Sequence, residues 1–316
     1  MENKPKSQTF KYEHSWSIPQ TLDKLIEALR EGLDISISTS GSTGTPKEIL
    51  LPTSAMIYSA RNANQYLGAK PGDRWSLLLS PEHTAGLNVL VRSIELGTIP
   101  VTENESADFT AIVPTQLFRA LNGDEKLLKH LQGCKAVLVG GAAADQELLI
   151  SAKAADINCI TTYGMTETSG GCIYDGTPLP GVEVRIGETI ELKGPMLARV
   201  ELKDGYFVTS DLGKIEDGKL IVLGRADDVI NSGGKKVSLS KVEKALGDSF
   251  AAFGTENSEW GTALNIATTS EISDEEIQLV LSVKFGVKAL QIHRINEIPR
   301  TALEKIDRQA LGRLAK

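Results

Sequence analysis

Between residues 75 and 162 the chain alternates short apolar runs with longer stretches in which apolar positions recur every three to four residues. Trp75-Ser76-Leu77-Leu78-Leu79, Ile99-Pro100-Val101, Phe109 to Val113, Ala136-Val137-Leu138-Val139 and Cys159-Ile160-Thr161-Thr162 read as strands. Ala85 to Leu96 reads as a helix ended by Gly97, a second helix opens at Pro114 and closes at Gly123, and a third reaches about Ala155. Strands alternating with helices predict parallel βαβ units. Upstream, Leu22, Leu25, Ile26 and Leu29 share one face of a helix over 21–31 that Gly32 can end. Met56, Ile57, Ala60, Ala63, Asn64 and Leu67 mark another amphipathic helix, and Ile35-Ser36-Ile37 has strand character.

The pattern changes near Cys172. Val182 to Ile186, Thr189 to Leu192, Tyr206 to Val208 and Lys219 to Leu223 are short β-type runs separated by glycine turns, which predicts a small, mostly β subdomain over about 172–226. After Asp228 the pattern is α+β. A helix is expected over 240–246, with Ser240 and Glu243 at capping-box spacing. Strands at 262–267 and 288–293 flank a helix from Ser273, boxed with Glu276 and closed by Gly286. The fold class is therefore α/β with a large N-terminal domain, residues 1–226, and a small α+β C-terminal domain, residues 227–316. The boundary falls at Gly224-Arg225-Ala226-Asp227-Asp228.

Composition adds bounds. A chain of 316 residues can bury a large core. The net charge of -7 argues against general nucleic-acid binding, while leaving room for local basic loops. No apolar run approaches the ~18 residues of a membrane span, and Met1 to Pro5 lacks an apolar signal core. Cys134, Cys159 and Cys172 show no paired metal spacing and cannot complete a disulfide set. A cytoplasmic protein with no membrane insertion is the expectation.

The densest candidate chemistry is Ser38-Thr39-Ser40-Gly41-Ser42-Thr43-Gly44-Thr45-Pro46-Lys47. Glycines let backbone N–H groups turn onto an anion, hydroxyls add donors, and Lys47 adds a full charge. These are the groups that a polyphosphate needs. The loop is not of Walker type, because no hydroxyl follows a Gly-Lys pair. Tyr163-Gly164-Met165-Thr166-Glu167-Thr168 follows the last clear parallel strand, where the active sites of such sheets lie. Further on stand Ser210-Asp211-Leu212-Gly213, the run Gly224 to Gly234, and Pro299-Arg300-Thr301-Ala302-Leu303-Glu304-Lys305-Ile306-Asp307-Arg308.

In this order, and spanning residues 38–308, these segments resemble the signatures of the acyl-adenylate-forming (acyl-CoA synthetase) superfamily. The resemblance implies ATP, Mg2+ and CoA as cofactor and co-substrates. Thr39, Ser40, Gly41, Ser42, Thr43, Gly44, Lys47, Gly141, Tyr163, Gly164, Asp211 and Arg225 would bind the nucleotide. Tyr163 would pack on adenine, Thr166 contact the α-phosphate, and Glu167 hold magnesium. Asp211 would accept both ribose hydroxyls, as a two-acceptor carboxylate suits a vicinal diol. Lys305, with Thr166 and Glu167, would be catalytic. Asp227 would be the hinge of a mobile C-terminal domain, and Gly233 and Gly234 would line the CoA loop. Glu304 departs from the family's usual glycine.

Pro81-Glu82-His83-Thr84-Ala85-Gly86-Leu87, with Val89-Leu90-Val91-Arg92-Ser93 and Val113-Pro114-Thr115-Gln116-Leu117, resembles the short 2-succinylbenzoate–CoA ligases of menaquinone biosynthesis. The substrate implied is an aryl dicarboxylate, bound by His83, Thr84 and Gly86. His83 has a second reading as a helix-capping or core residue. Arg92 and Arg119 are candidates for the aromatic carboxylate and, equally, for solvent. Most family members carry a further N-terminal subdomain, whereas about forty residues precede the loop here. Apolar surface left uncovered by that difference would suit a homodimer. Two alternatives stay open: an adenylation domain that loads an aryl or amino acid onto a carrier protein, and a truncated, non-catalytic nucleotide-binding relative.

Overall fold

The computed structural model describes residues 9–40, 46–258, 261–300 and 306–314. The chain divides into two compact units, one built mainly from residues up to Thr209 together with Gly213–Val222, the other mainly from Leu223 onward.

The first unit is organised on a six-stranded sheet in the order Trp75–Ser76, Phe109–Ile112, Ala136–Val139, Cys159–Met165, Gly170–Tyr174 and Thr177–Pro178. The first four pair in parallel, and each of the last two pairs antiparallel with the strand before it. Successive residues of a strand point to opposite faces, and here both faces are covered. Phe109, Ala111, Ala136 and Leu138 join a core with Trp75, Val89, Ile173 and Tyr174. Ile112, Val137 and Val139 join the opposite core with Leu117, Leu127, Leu131 and Ala152. That is why Phe109–Ile112 and Ala136–Val139 read as unbroken apolar runs.

A second, three-stranded sheet orders Thr9–Phe10, Asp34–Ser40 and Pro46–Pro52. Its core, with Leu25, Ile35, Ile37, Leu51 and Met56, also takes Leu87, Leu90 and Val91. Helix Thr84–Glu95 is thus held between two cores, Val89 facing one and Leu87, Leu90 and Val91 the other. Glu183–Ile186, Ile190–Lys193 and Phe207–Val208 form a small antiparallel sheet, and Asp211–Glu216 pairs with Lys219–Arg225. The architecture is α/β with the expected parallel sheet and β-rich part.

The second unit carries the strand order Lys235–Ser238, Val229–Ser232, Gly261–Thr268 and Phe250–Asn257, with Gln291–Arg294 added parallel to Gly261–Thr268. Helices Leu239–Leu246 and Asp274–Phe285 cover it through Val242, Ile277 and Leu281. Ser273 and Glu276 form the expected capping box, and Gly286 ends the helix at φ 66°.

Several local expectations change. The helix expected over 21–31 starts at Ile18, because Ser17 caps it reciprocally with Gln20. Pro46–Pro52 forms a strand before helix Thr53–Tyr66 begins. The run Trp75–Leu79 contributes only Trp75–Ser76, and Ile99-Pro100-Val101 only a single bridge from Val101 to Ser76. Helix Glu125–Gly133 and strand Phe250–Asn257 were not foreseen. The cap of Leu239–Leu246 is Ser238, which accepts from the Lys241 N–H, and not Ser240. Ser240 instead donates to Asp228, and Glu243 accepts from the Ala252 N–H.

A buried polar knot joins the helices of the first unit. Asn64 Oδ1 accepts from Trp75 Nε1 at 3.1 Å, and Asn64 Nδ2 donates to the Arg92 carbonyl at 3.1 Å. Asn64→Ala leaves the buried Trp75 indole N–H without a partner and the Arg92 carbonyl with only its bond from the Leu96 N–H, and is expected to lower stability by about 2 kcal/mol. Denaturant unfolding followed by tryptophan fluorescence measures this, and an unshifted midpoint would contradict the role assigned to Asn64.

Candidate active site

The strand Cys159–Met165 runs three residues further than expected, so Tyr163 and Gly164 belong to the strand itself. Its end pairs with Gly170–Tyr174 across a register shift at Tyr163/Gly164. A Cβ on Gly164 would stand 2.0 Å from the Gly170 carbonyl oxygen, so only glycine lets the two backbones approach this closely. Thr166–Thr168 then forms one 3-10 turn. The buried Thr168 hydroxyl holds the turn shut: it accepts from the Met165 N–H and lies within bonding distance of the Met165 and Gly170 carbonyls. Thr166 and Glu167 are therefore displayed from a rigid turn at the carboxyl end of a central strand, with Glu167 half-buried.

Helix Thr84–Glu95 packs along this turn through one stripe spaced four residues apart. Thr84 Oγ1 donates to Thr166 Oγ1 at 3.2 Å, Asn88 Nδ2 to the Ser169 carbonyl at 2.7 Å, and Arg92 to Tyr174 Oη at 3.2 Å. Gly170, at φ 95°, makes room for Asn88; a Cβ there would meet Asn88 Nδ2 at 2.4 Å. Gly86 is required at the helix start, where a Cβ would lie 2.2 Å from the Ser80 carbonyl oxygen. His83 occupies the N-cap position in extended conformation, yet its side chain makes no capping bond.

The stripe also holds unsatisfied polar atoms. Asn88 Oδ1, Arg92 Nε and Ser169 Oγ are buried without a hydrogen-bond partner. Arg92 is 3% exposed, with its guanidinium 4.8 Å from the Trp75 ring centroid. Of the two readings of Arg92, exposure to solvent is ruled out by this burial, whereas Arg119 is exposed. Asn88 and Ser169 were missed by sequence reasoning. Four-residue spacing from Thr84 to Asn88 to Arg92 within an apolar helix was the available signal.

Gly41, Ser42, Thr43 and Gly44 lie outside the described residues, as does the side chain of Ser40. The segment is bracketed by Thr39 Oγ1, which donates to the Lys47 carbonyl at 3.1 Å. Lys47 is exposed. Gly141 adopts φ 80° two residues past strand Ala136–Val139, where a Cβ would stand 3.3 Å from Val113. In the second unit, the buried Asp211 carboxylate lies 3.9 Å from Arg225. Gly233 (φ 58°) and Gly234 (φ 81°) form the two-residue turn between Ser232 and its partner Lys235. Positive φ at both positions is what a type I′ hairpin demands. Lys305 and the side chain of Asp227 lie outside the described residues.

The three cysteines are free. Burial pushes the Cys134 thiol up to about 12, Cys159 to about 11 and Cys172 to about 12. Among the described residues no group of three His, Cys, Asp or Glu gathers to hold a metal, and no helix is long and apolar enough to cross a membrane.

The chain belongs to the AMP-binding enzyme family, whose sequence profile matches residues 35–203. A Mycobacterium tuberculosis (strain ATCC 25618 / H37Rv) protein named "Probable 2-succinylbenzoate--CoA ligase" is 36% identical over 349 residues, covering 94% of this chain and 90% of that one. The 2-succinylbenzoate–CoA ligase of Listeria monocytogenes serovar 1/2a is 28% identical, covering 86% of this chain and 68% of its own length. The same fold is seen in o-succinylbenzoate CoA synthetase from Bacillus subtilis, solved in complex with the acyl-adenylate intermediate. It gives a TM-score of 0.75 at 23% identity over 88% of this chain and 68% of that one.

Thiol chemistry offers a check on the site's packing. Reaction with a disulfide reagent needs the thiolate, which these raised values keep to roughly one part in a thousand or less at pH 8. The native protein should therefore label slowly at pH 8, with the half-buried Cys159 first as pH rises toward 10, and should yield all three thiols in denaturant. Rapid labelling of Cys172 in the native state would show that the strand Gly170–Tyr174 is not packed as described.

Proposed function

We propose that this protein is an ATP-dependent, AMP-forming ligase that joins 2-succinylbenzoate to CoA through an acyl-adenylate, a step of menaquinone biosynthesis. The observation that carries the reading is the Thr84–Thr166 hydrogen bond, which couples the acid-binding segment to the adenylation signature. Support for the particular acid comes from the names of the relatives, 36% and 28% identical.

In the first half-reaction a succinyl carboxylate oxygen attacks the α-phosphorus of ATP, and the bond to the pyrophosphate oxygen breaks. Charge grows on the phosphorus oxygens, and positioned donors stabilise it. In this reading Lys305, Thr166 and the loop from Thr39 to Lys47 supply them. Tyr163 stacks on the base, Gly141 and Gly164 allow close backbone approach, and Asp211 with Arg225 holds the ribose. Magnesium is bound in such sites by one or two carboxylates plus substrate phosphates, and the half-buried Glu167 fits that demand without a protein-only cage. The bound ion would neutralise phosphate charge. In the second half-reaction the CoA sulfur attacks the acyl carbon and AMP leaves with the electrons of the C–O bond. Residues 227–316, pivoting at Asp227, withdraw Lys305 and bring the Gly233-Gly234 turn to the pantetheine arm.

The second carboxylate of the substrate is assigned to Arg92, a buried guanidinium with an unsatisfied Nε in the same helix stripe as Thr84. His83, Thr84 and Gly86 form the rest of the acid site.

Release of AMP and pyrophosphate with ATP, Mg2+ and CoA, measured across 2-succinylbenzoate, benzoate, fatty acids and amino acids, is expected only with 2-succinylbenzoate. Turnover confined to another acid would remove the menaquinone assignment. Transfer to a carrier protein but not to CoA would favour a loading domain. Lys305→Ala should lose adenylation by at least about a hundredfold while sparing thioester formation from preformed adenylate. Arg92→Lys keeps the charge but loses the fork geometry and should raise KM for the acid about tenfold, with KM for ATP unchanged. Equal rises in both KM values would detach Arg92 from the acid.

A further inference from the structure

Arg92 and Tyr174 form a buried pair of which the proposed chemistry uses only one member. Tyr174 is 0% exposed and Arg92 3%, and Arg92 Nη2 donates to Tyr174 Oη at 3.2 Å. The guanidinium lies 4.8 Å from the centroid of the Trp75 ring. Trp75 Nε1 and the Arg92 carbonyl are held in turn by Asn64. None of these neighbours is a carboxylate. A buried guanidinium with no counter-charge is costly, and an arriving anion offsets that cost.

The pair also has donors to spare. Nε and Nη2 share one edge of the planar guanidinium, an edge whose N–H bonds can grip a carboxylate in parallel. Nη2 meets Tyr174, whereas Nε is buried without a partner. The Tyr174 oxygen accepts from Arg92, and among the described residues its own proton goes to no acceptor. Burial raises the Tyr174 phenol above its ordinary value, with the Arg92 charge opposing the rise. The group is therefore a protonated donor at neutral pH. Its ring is fixed by two neighbours. Tyr66 meets it edge-on, with centroids 5.1 Å apart. On strand Gly170–Tyr174 the ring lies back over Gly171, where a Cβ would stand 3.2 Å from Tyr174 Cε1. Gly171 in turn pairs with Gly164 of the signature. The hydroxyl is thus held next to the open edge of Arg92, on the strand that packs against the signature turn.

We propose that the Tyr174 hydroxyl is a second donor to the ring carboxylate of the acid, beside Arg92, and that the two together select a dicarboxylate over an acid with a single carboxylate. The inference rests on the assignment of that carboxylate to Arg92 under the proposed function. An incoming carboxylate takes the Arg92 Nε–H, and the phenol proton turns to it as well. The guanidinium gains its counter-charge, and both open donors gain an acceptor. An acid without the ring carboxylate leaves a charge and two donors buried without partners, and a site left in that state rejects an analogue strongly. Phenylalanine at position 174 keeps the ring and its packing and removes one donor.

The test uses the full chain with ATP, Mg2+ and CoA, and measures kcat/KM for two acids together with thermal unfolding of each protein. The acids are 2-succinylbenzoate and 3-benzoylpropionate, which keeps the succinyl carboxylate and the ketone but lacks the ring carboxylate. Wild-type protein is expected to prefer 2-succinylbenzoate by at least about a hundredfold. In Tyr174→Phe that preference should fall about tenfold or more, through a higher KM for 2-succinylbenzoate, while KM for ATP stays within about twofold. The ratio between the acids does not depend on the fraction of protein that is folded, so a merely structural role leaves it unchanged. Tyr174→Met, also without a hydroxyl and adaptable in shape, serves if the phenylalanine variant fails to fold. A preference unchanged in the variant, or an equal loss with both acids, would overturn the role of Tyr174. If Arg92→Lys lowers the preference in that case, only the inference falls and the assignment of Arg92 stands. Wild-type protein that uses both acids alike would overturn the Arg92 assignment and this inference with it. Absence of AMP release on any acid would overturn the functional reading as a whole.

Discussion

Helix Thr84–Glu95 has almost no solvent-facing side, and much of the first unit depends on that constraint. Its apolar residues must satisfy two cores at once, with Val89 in one and Leu87, Leu90 and Val91 in the other. A helix held on two sides cannot slide or rotate without emptying a packed space, and close-packed interiors resist that. Its polar stripe is therefore placed with the precision of the core. Thr84, Asn88 and Arg92 meet Thr166, Ser169 and Tyr174 because the hydrophobic residues around them leave no other orientation.

The glycines beside this stripe serve close approach more than flexibility. Gly86, Gly164 and Gly170 each sit where a Cβ would fall within 2.4 Å of a neighbouring atom. The signature around Tyr163 is thus a packing solution as much as a chemical one: two strands are brought together tightly enough for a single buried hydroxyl, Thr168, to close the turn that displays Thr166 and Glu167. The second unit uses a different means for a similar end. There the half-buried Arg308 guanidinium, between the Asp228 and Glu243 carboxylates, joins segments that are distant in sequence.

Much of the large-scale fold was legible. Runs such as Ala136–Val139 carry no polar position, which only a sheet covered on both faces tolerates. Ser273 with Glu276, and Gly286 after them, marked a helix correctly because capping chemistry is local. Less was legible where two local signals competed. Ser238 and Ser240 both offer a cap to helix Leu239–Leu246, and Ser240 lost because Asp228 takes its hydroxyl and N–H. Pro46–Pro52 was hidden as a strand because its apolar core, Ile49-Leu50-Leu51, is short and flanked by prolines. Trp75–Leu79 looked like a full strand because Leu77 and Leu79 pack on one core and Leu78 on the opposite one, which gives the same apolar run as a strand covered on both faces.

By itself the sequence determined the periodicities, the caps, the turn glycines and the residue types able to meet phosphate, ribose and carboxylate, since each depends on neighbours a few positions away. Only the tertiary structure decided which of those residues face one another. The separations of 82 positions from Thr84 to Thr166, and of 80 from Asp228 to Arg308, are closed by packing of whole helices and strands. No local pattern encodes such a distance. The same holds for burial of charge: Arg92 and Arg119 are alike as residues on amphipathic helices, and only the contacts of the folded chain enclose one and leave the other in water.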